Sequence, residues 1–279
     1  MSRTIIIADQ KGGVGKSTTS NFIAYELAIK GNKVLLIDWD SQASQTNSFF
    51  GLKDVHYAGD NEHNIINIFK GKSITPIVIT DSEKKMSFDF IPSNEELLDI
   101  VESDEMKYID KISVLPNFIK SVQDKYDYVL VDCPPSFGIL TKSALLSADS
   151  ILVPIATKSV DEDGIKRFFE KANALFTGSK ANKLSNIFIL PTIYDSRMNN
   201  AKEMLTIIRL LPRFLSMGHL TYFKNIHVDV LDAVPYKVEI IEAPGQKMFL
   251  KEYINTYIKS TSINPIITIL ENMVLKISK

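Results

Sequence analysis

The chain alternates short apolar runs with longer mixed segments. Thr4-Ile5-Ile6-Ile7-Ala8, Lys33-Val34-Leu35-Leu36-Ile37-Asp38, Tyr126-Asp127-Tyr128-Val129-Leu130-Val131-Asp132, Ser150-Ile151-Leu152-Val153-Pro154-Ile155 and the run opening at Asn186-Ile187-Phe188-Ile189-Leu190 are short and rich in β-branched residues. Such runs, apolar on successive positions, read as strands buried on both faces of a parallel sheet. Phe88 to Ser93 reads the same way, and Ile74 to Thr80 is a weaker strand candidate. Helical stretches fall between them. Ser20 to Ala28 is stopped by Lys30-Gly31-Asn32, and Asn64 to Phe69 by Gly71. A further helix opens at Asn94-Glu95-Glu96-Leu97, and Asp163-Gly164 opens another. Apolar positions from Ile100 to Val122, interrupted by Pro116, predict one or two more. Asn264 to Lys276 reads as a helix with Pro265 in its first turn. Asp54 to His63 is polar and reads as a surface loop. Strands alternating with helices predict an α/β sheet.

The first strand runs into Asp9-Gln10-Lys11-Gly12-Gly13-Val14-Gly15-Lys16-Ser17-Thr18-Thr19, and a helix follows. Strand, glycine-rich loop and helix is the setting of a phosphate-binding loop. Glycines let backbone N–H groups converge on an anion, and the helix N-terminus adds unpaired donors. Gly12, Gly13, Val14, Gly15, Lys16, Ser17 and Thr18 are the candidate ATP-binding residues. Lys16 is a point charge for the β- and γ-phosphates, and the Ser17 hydroxyl is placed to ligate Mg²⁺. Two further strands end on acids. Asp38 and Asp40 stand one residue apart just beyond the second strand, so one can face Mg²⁺ and the other the γ-phosphate. Asp132 closes the Tyr126–Val131 run, as the acid that holds the Mg²⁺ shell should.

At 279 residues with 45% hydrophobic content, one α/β domain over residues 1–279 is expected. A net charge of −1 argues against a generally basic nucleic-acid binder but leaves room for a local patch. The single cysteine, Cys133, permits no internal disulfide and reads as a small buried residue at a strand end. The four histidines show no metal-ligand spacing. The chain enters its first strand without a basic n-region or apolar h-region, so no signal peptide is expected. No apolar run approaches the ~20 residues of a membrane span, and a cytoplasmic protein is expected.

Gln10 takes the first glycine position of the general loop pattern, with Lys11 beside it. Lys11-Gly12-Gly13-Val14-Gly15-Lys16-Ser17 thereby resembles the deviant Walker A box, K-G-G-x-G-K-[ST], of the ParA/MinD family of ATPases. Asp38-Trp39-Asp40-Ser41-Gln42-Ala43 resembles that family's switch I, D-x-D-P-Q-[AG], with Ser41 in place of the usual proline. Asp132-Cys133-Pro134-Pro135-Ser136 resembles switch II, D-x-P-P-[SG]. The Asn186 to Arg197 segment resembles L-x-T-x-[YF]-D-x-R near the nucleotide base, Ala233-Val234-Pro235-Tyr236 the other wall of the base pocket, and Glu242-Ala243-Pro244 an element near the dimer interface. The resemblance runs from Thr4 to at least Pro244. It implies a P-loop NTPase with a doubly wound, mostly parallel sheet flanked by helices on both faces, and Mg-ATP at the C-terminal strand ends. It also implies an ATP-state homodimer in which Lys11 reaches the opposite nucleotide. Asp40 would orient the attacking water, Asp38 would support the Mg²⁺ shell with Ser17 and Asp132, and Asp195 and Pro235 would lie near the base.

Within the family the expected function is a ParA-like ATPase of plasmid or chromosome partition. Its dimer would bind DNA without sequence preference on the nucleoid, and a ParB-like centromere-binding partner would stimulate its slow hydrolysis. Arg209, Arg213, Lys224, Lys247 and Lys251 are the candidate DNA contacts, since backbone binding needs only clustered bases. A chain that begins at the first strand is expected to lack a helix-turn-helix extension. One rival is a MinD-like regulator, but the C-terminal helix is apolar nearly all round and poor in Lys and Arg, which predicts packing onto the sheet and no membrane contact. An iron–sulfur scaffold would need paired cysteines. A metabolic ligase resembling dethiobiotin synthetase shares the loop but has no use for the second switch I acid.

Overall fold

The computed structural model describes residues 2–50, 62–81, 85–103, 106–158, 161–179, 183–237 and 264–278. The strands among them are β1 (Arg3–Ile7), β2 (Val34–Asp38), β3 (Ile77–Asp81), β4 (Met86–Ile91), β5 (Tyr128–Asp132), β6 (Ser150–Ala156), β7 (Asn186–Thr192) and β8 (His227–Val230). They form one sheet in the order β3-β4-β2-β5-β1-β6-β7-β8. Every neighbouring pair is parallel except β3 on β4, an antiparallel edge. From β1 the chain builds outward on one side through β2 and β4, returns to β5, and then builds the other side through β6, β7 and β8. Such a reversal next to β1 leaves a crevice at the C-terminal strand ends, where open α/β sheets take their ligands.

The described helices are α1 (Lys16–Ile29), α2 (Ser44–Phe50), α3 (Ile66–Phe69), α4 (Glu96–Glu102), α5 (Tyr108–Val122), α6 (Ile139–Leu146), α7 (Glu162–Thr177), α8 (Asn199–Leu215) and α9 (Asn264–Ile277). Successive strand residues feed opposite cores. Ile5, Ile7, Leu36, Leu130, Leu152 and Phe188 pack beneath α1 and α9. Ile6, Leu35, Ile37, Val129, Val131, Ile151 and Val153 pack on the other face with α3 and α5 to α8. Burial on both faces is why the strands read as unbroken apolar runs. The expected fold class, doubly wound with helices on both faces, is the one observed.

Some boundaries differ from expectation. Pro116 does not end a helix; it lies inside α5. Ile112, Leu115 and Ile119, before and after it, are buried on one face, and that packing holds the two halves in line despite the lost N–H. The helix expected at Asp163-Gly164 starts one residue earlier, at Glu162. Asp161 caps α7 by accepting a 3.0 Å hydrogen bond from the Gly164 N–H. A Cβ on Gly164 would stand 2.6 Å from that carboxylate, so a larger residue there would push the Asp161 side chain aside. The α8 and β8 elements occupy a stretch in which the sequence pattern drew attention only to charge. The Glu242-Ala243-Pro244 segment, Lys247, Lys251 and most of the Asp54–His63 loop lie outside the described residues.

The C-terminal helix does pack on the sheet. Leu270, Met273, Val274 and Ile277 are buried against the α1 side. The Tyr128 hydroxyl donates to the Ser278 carbonyl at 3.1 Å, and Lys276 pairs with Asp229 at 3.1 Å. Among the described residues no helix is long and apolar enough to cross a membrane. Met273→Ala should therefore lower the unfolding free energy by about 2–5 kcal/mol. Leu275→Ala, on the exposed side of the same helix, should change it by about 0.5 kcal/mol or less. Urea denaturation reads both, and equal effects would contradict this packing.

Candidate phosphate-loop site

Between Ile7 and Lys16 the backbone folds into a loop over the end of β1. Gly13 and Gly15 take φ of 69° and 92°, a left-handed conformation that side chains resist. Nothing lies within 4 Å of a Cβ built on either, so backbone conformation and not space demands glycine. No side chain caps α1. Its first N–H groups are left for another acceptor, and an anion suits them. Lys16 is buried, and its ammonium donates to the Lys11 carbonyl at 3.0 Å, closing the loop on itself. From the far side, the Thr192 hydroxyl at the end of β7 donates to the Val14 carbonyl at 2.8 Å. Thr192 is the threonine of the L-x-T-x-[YF]-D-x-R segment, and its bond to the phosphate loop gives that position a structural part.

The acids arrive by register. Asp38 on β2 stands beside Asp132 on β5, and Asp132 beside Ile7 of β1. Both acids share the strand parity of Leu36 and Leu130, which face α1, so both carboxylates open beneath the start of α1. Asp38 is fully buried. Its Oδ2 accepts from the Thr46 N–H and hydroxyl, each at 2.8 Å, and its Oδ1 from the Asp40 N–H at 3.3 Å. Thr46 in turn accepts from the Ser93 N–H at 2.9 Å. Asp38 thus ties β2 to α2 and to the exit of β4. Asp40 is buried and accepts from the Gln42 N–H at 3.0 Å. Asp132 receives a hydrogen bond from Ser17, while its buried Oδ1 has no partner. Asp9 accepts from the N–H groups of Gln10 and Lys11. It also lines a cavity of about 200 Å³ with Lys11, Asp161 and Arg167. Sequence reading gave Asp9 no role.

Burial dominates the electrostatics. It pushes Asp38 up to about 7, with Asp40 adding to the shift. Asp9 rises to about 6 for the same reason, opposed by Lys16. Burial also raises Asp40, and it raises Asp132 well above the carboxylate range, where the charge of Asp38 adds. Carboxylates crowded out of water call for a cation. The unpaired Asp132 oxygen, the adjacent Ser17 hydroxyl and the neighbouring Asp38 are hard oxygen donors, a set that fits Mg²⁺.

A larger cavity of about 530 Å³ runs from Gly13, Gly15, Ser17 and Thr18 to Asn21, Val234, Pro235 and Tyr236. A bridge between Tyr194 and Pro235 builds its wall, with Tyr236 N–H donating to the Tyr194 carbonyl at 2.9 Å. Pro235 thus lines the same cavity as the phosphate loop. Asp195 does not line it; Arg197 holds its carboxylate at 2.9 and 2.6 Å and keeps its pKa down at about 2. Lys158 lines the cavity instead, without any signal in the sequence. The predicted DNA contacts are more scattered. Arg209 and Arg213 are exposed on α8 and share a stripe with Lys202, opposite the buried Met204, Ile208 and Leu211. Lys224 is exposed on the next 3-10 turn, Phe223–Asn225.

Comparison with known proteins places the chain among ATPase relatives of the same fold. The protein-family model described as an AAA domain (AAA_31) matches residues 2–185. The chain is 27% identical over 260 residues to the chromosome-partitioning ATPase Soj of Treponema pallidum, covering 91% of this chain and 90% of that one. It matches the crystal structure of a plasmid partition protein from Borrelia burgdorferi with a TM-score of 0.64 and 27% identity over 99% of both chains. The fold is shared more widely. Cobyrinic acid a,c-diamide synthase from Mycobacterium smegmatis, with bound ADP and magnesium, aligns with a TM-score of 0.64 at 24% identity, covering 91% of this chain and 92% of that one.

The acids set a pH dependence with a definite sign. Their folded pKa values lie above the unfolded value of 3.8. The folded state then binds more protons, and the stability they contribute is present below that value and lost as pH rises through their folded pKa values, about 7 for Asp38. Asp132→Asn removes one buried charge. In EDTA it should melt above the unsubstituted chain at neutral pH, and the difference should vanish by about pH 4. Thermal melting across pH reads this, and a variant less stable at neutral pH would contradict it.

Proposed function

The chain belongs to the ParA/MinD family of deviant Walker A ATPases, and we propose that it works as an ATP-dependent dimerising switch of DNA partition. One observation carries the reading. A glycine loop with two lysines, Lys11 and Lys16, closes directly over buried acids from two neighbouring strands. Soj of Treponema pallidum and the Borrelia burgdorferi protein, each 27% identical over most of the chain, are named for partition, while the metabolic synthase, at 24% identity, shares the fold alone; this favours the partition readout. The ATPase unit is proposed to span residues 1–279.

The phosphates of ATP would lie on the N–H groups from Gly12 to Thr18. The Lys16 ammonium, now on the Lys11 carbonyl, would exchange that bond for a phosphate oxygen, which releases Lys11 from the closed loop. Ser17 and Asp132 would hold Mg²⁺, with Asp38 behind them shaping the loop through Thr46. When bound, Mg²⁺ supplies positive charge against the phosphates and quiets the crowded acids. Asp40, held by the Gln42 N–H, would orient water for attack on the γ-phosphate, giving ADP and phosphate. Pro235 and Tyr236 would flank the nucleoside. Lys11 would reach the nucleotide of a second copy, so that ATP favours the dimer by binding it better than two monomers. Loss of the γ-phosphate then releases the switch loops. DNA would meet the Arg209 and Arg213 stripe together with Lys224, and a ParB-like centromere-binding protein would stimulate turnover. The cytoplasm, on the nucleoid, is the proposed location.

Lys16→Ala should abolish nucleotide binding. Lys11→Ala should bind ATP but form no ATP-dependent dimer by light scattering; persisting dimers would remove its cross-dimer role. Asp40→Ala should keep the dimer and lose turnover by about 100-fold.

Binding to random-sequence duplex DNA with ATP, with ADP and without nucleotide, across a salt series, tests the readout. Binding only with ATP, falling steeply with salt, is expected. The Arg209→Ala, Arg213→Ala, Lys224→Ala triple variant should flatten the salt slope by about 1 for each phosphate that is no longer neutralised. Turnover that ignores DNA but requires an organic acid would overturn partition in favour of a metabolic ligase.

A further inference from the structure

Trp39 stands between Asp38 and Asp40, yet its indole belongs to the opposite core of the sheet and is fully buried. Three contacts hold it. Its backbone N–H donates to the Asp132 carbonyl at 2.9 Å. Its Nε1 donates to the Leu140 carbonyl at 3.1 Å. Its ring stacks on Phe69 of α3, centroids 5.4 Å apart and planes 11° from parallel. Leu140 lies in the first turn of α6, which continues directly from the Cys133–Gly138 loop, and the next residue, Thr141, donates to the Ser136 carbonyl of that loop at 2.6 Å. One side chain therefore spans from the Asp38–Gln42 loop to the helix that carries the Asp132 loop. A buried indole N–H needs an acceptor, but the packing does not require a residue that carries such an N–H. A carbonyl inside a helix has its own N–H four residues on, and the aromatic volume could be filled without a donor.

We propose that Trp39 is a positioning residue that makes the two acid-bearing loops move together, passing a displacement of Asp40 through the indole to α6. The inference rests on the ATPase reading above. The discriminating substitution is Trp39→Phe, which keeps the stacked ring and removes the N–H. The discriminating readout is amide hydrogen exchange of the full chain with Mg-ADP and with a non-hydrolysable ATP analogue. In the unsubstituted chain, α6 should exchange differently in the two states. In Trp39→Phe that difference should vanish, while kcat falls roughly 2- to 30-fold and KM for ATP holds within about 2-fold. Phe69→Leu removes the stack but leaves the N–H, and should keep the α6 difference. A merely structural Trp39 would change α6 protection equally in both states.

Trp39 is also the chain's sole tryptophan, so its emission reports on the bridge without any substitution and should differ between the two nucleotide states. Identical emission in the two states overturns the proposal, as does a Trp39→Phe protein that keeps both kcat and the α6 difference. An unsubstituted chain that neither binds nor hydrolyses ATP overturns the ATPase reading and this inference with it. Normal turnover with an indifferent Trp39→Phe removes only the coupling.

Discussion

The structure is organised around a charge imbalance held out of water. Asp9, Asp38, Asp40 and Asp132 are buried at the C-terminal end of the sheet, and Lys16 is the buried base set among them. Isolated charges in such a place cost several kcal/mol each unless they are paired or protonated. The chain answers in part with hydrogen bonds: Thr46 to Asp38, Gln42 to Asp40, Ser17 to Asp132. In part it leaves the imbalance standing, as the partnerless Asp132 oxygen shows. A ligand that brings a divalent cation and a polyphosphate together supplies both missing signs of charge at once. The cation satisfies the acids, and the anion satisfies Lys16 and the uncapped start of α1. Neither alone would do so, which gives a physical reason for the site to select the metal–nucleotide complex over its parts.

Everything that places those groups is sheet geometry. Parallel pairing sets Asp38 beside Asp132 and sends both towards α1. A shift of β2 by one residue would turn Asp38 into the opposite core and bring Trp39 under the phosphate loop. The register is protected by two-sided burial, because the same slip would exchange every residue between the two cores. The apolar strand interior and the polar strand end are thus one specification.

That is also why so much was legible beforehand. Unbroken apolar runs marked the central strands, and the acids closing two of them marked the site, because each signal lies within a few consecutive residues. What was missed depends on tertiary contacts. Pro116 looked like a break, and only the burial of Ile112, Leu115 and Ile119 shows why α5 continues through it. β8 is a four-residue edge strand, half-buried and mixed in character, so its pattern is faint. Thr192 and Thr46 matter through bonds to residues 178 and 8 positions away. The Asp195–Arg197 pair, by contrast, is local, since both residues belong to one segment two positions apart.

Ser41 shows the same logic in the switch itself. A proline there would restrain the loop covalently, by fixing φ. Serine leaves the backbone free, and the restraint has to come from contacts. The Asp40 carboxylate accepts from the Gln42 N–H, the Ala43 N–H donates back to the Asp40 carbonyl at 2.8 Å, and Ala43 takes a left-handed φ of 51°. The loop is therefore held by the same carboxylate proposed to orient water. An ionised carboxylate has lone pairs enough for both tasks, but a protonated one gives up acceptor capacity. Loop order and water orientation then depend on a single ionisation, which the burial of Asp40 disfavours and the nearby Lys16 favours. When Lys16 turns to a phosphate, part of that support is withdrawn from Asp40 unless a cation arrives with the nucleotide. The missing proline thus transfers control of the loop from covalent geometry to the charge state of the site, and so to the ligand that occupies it.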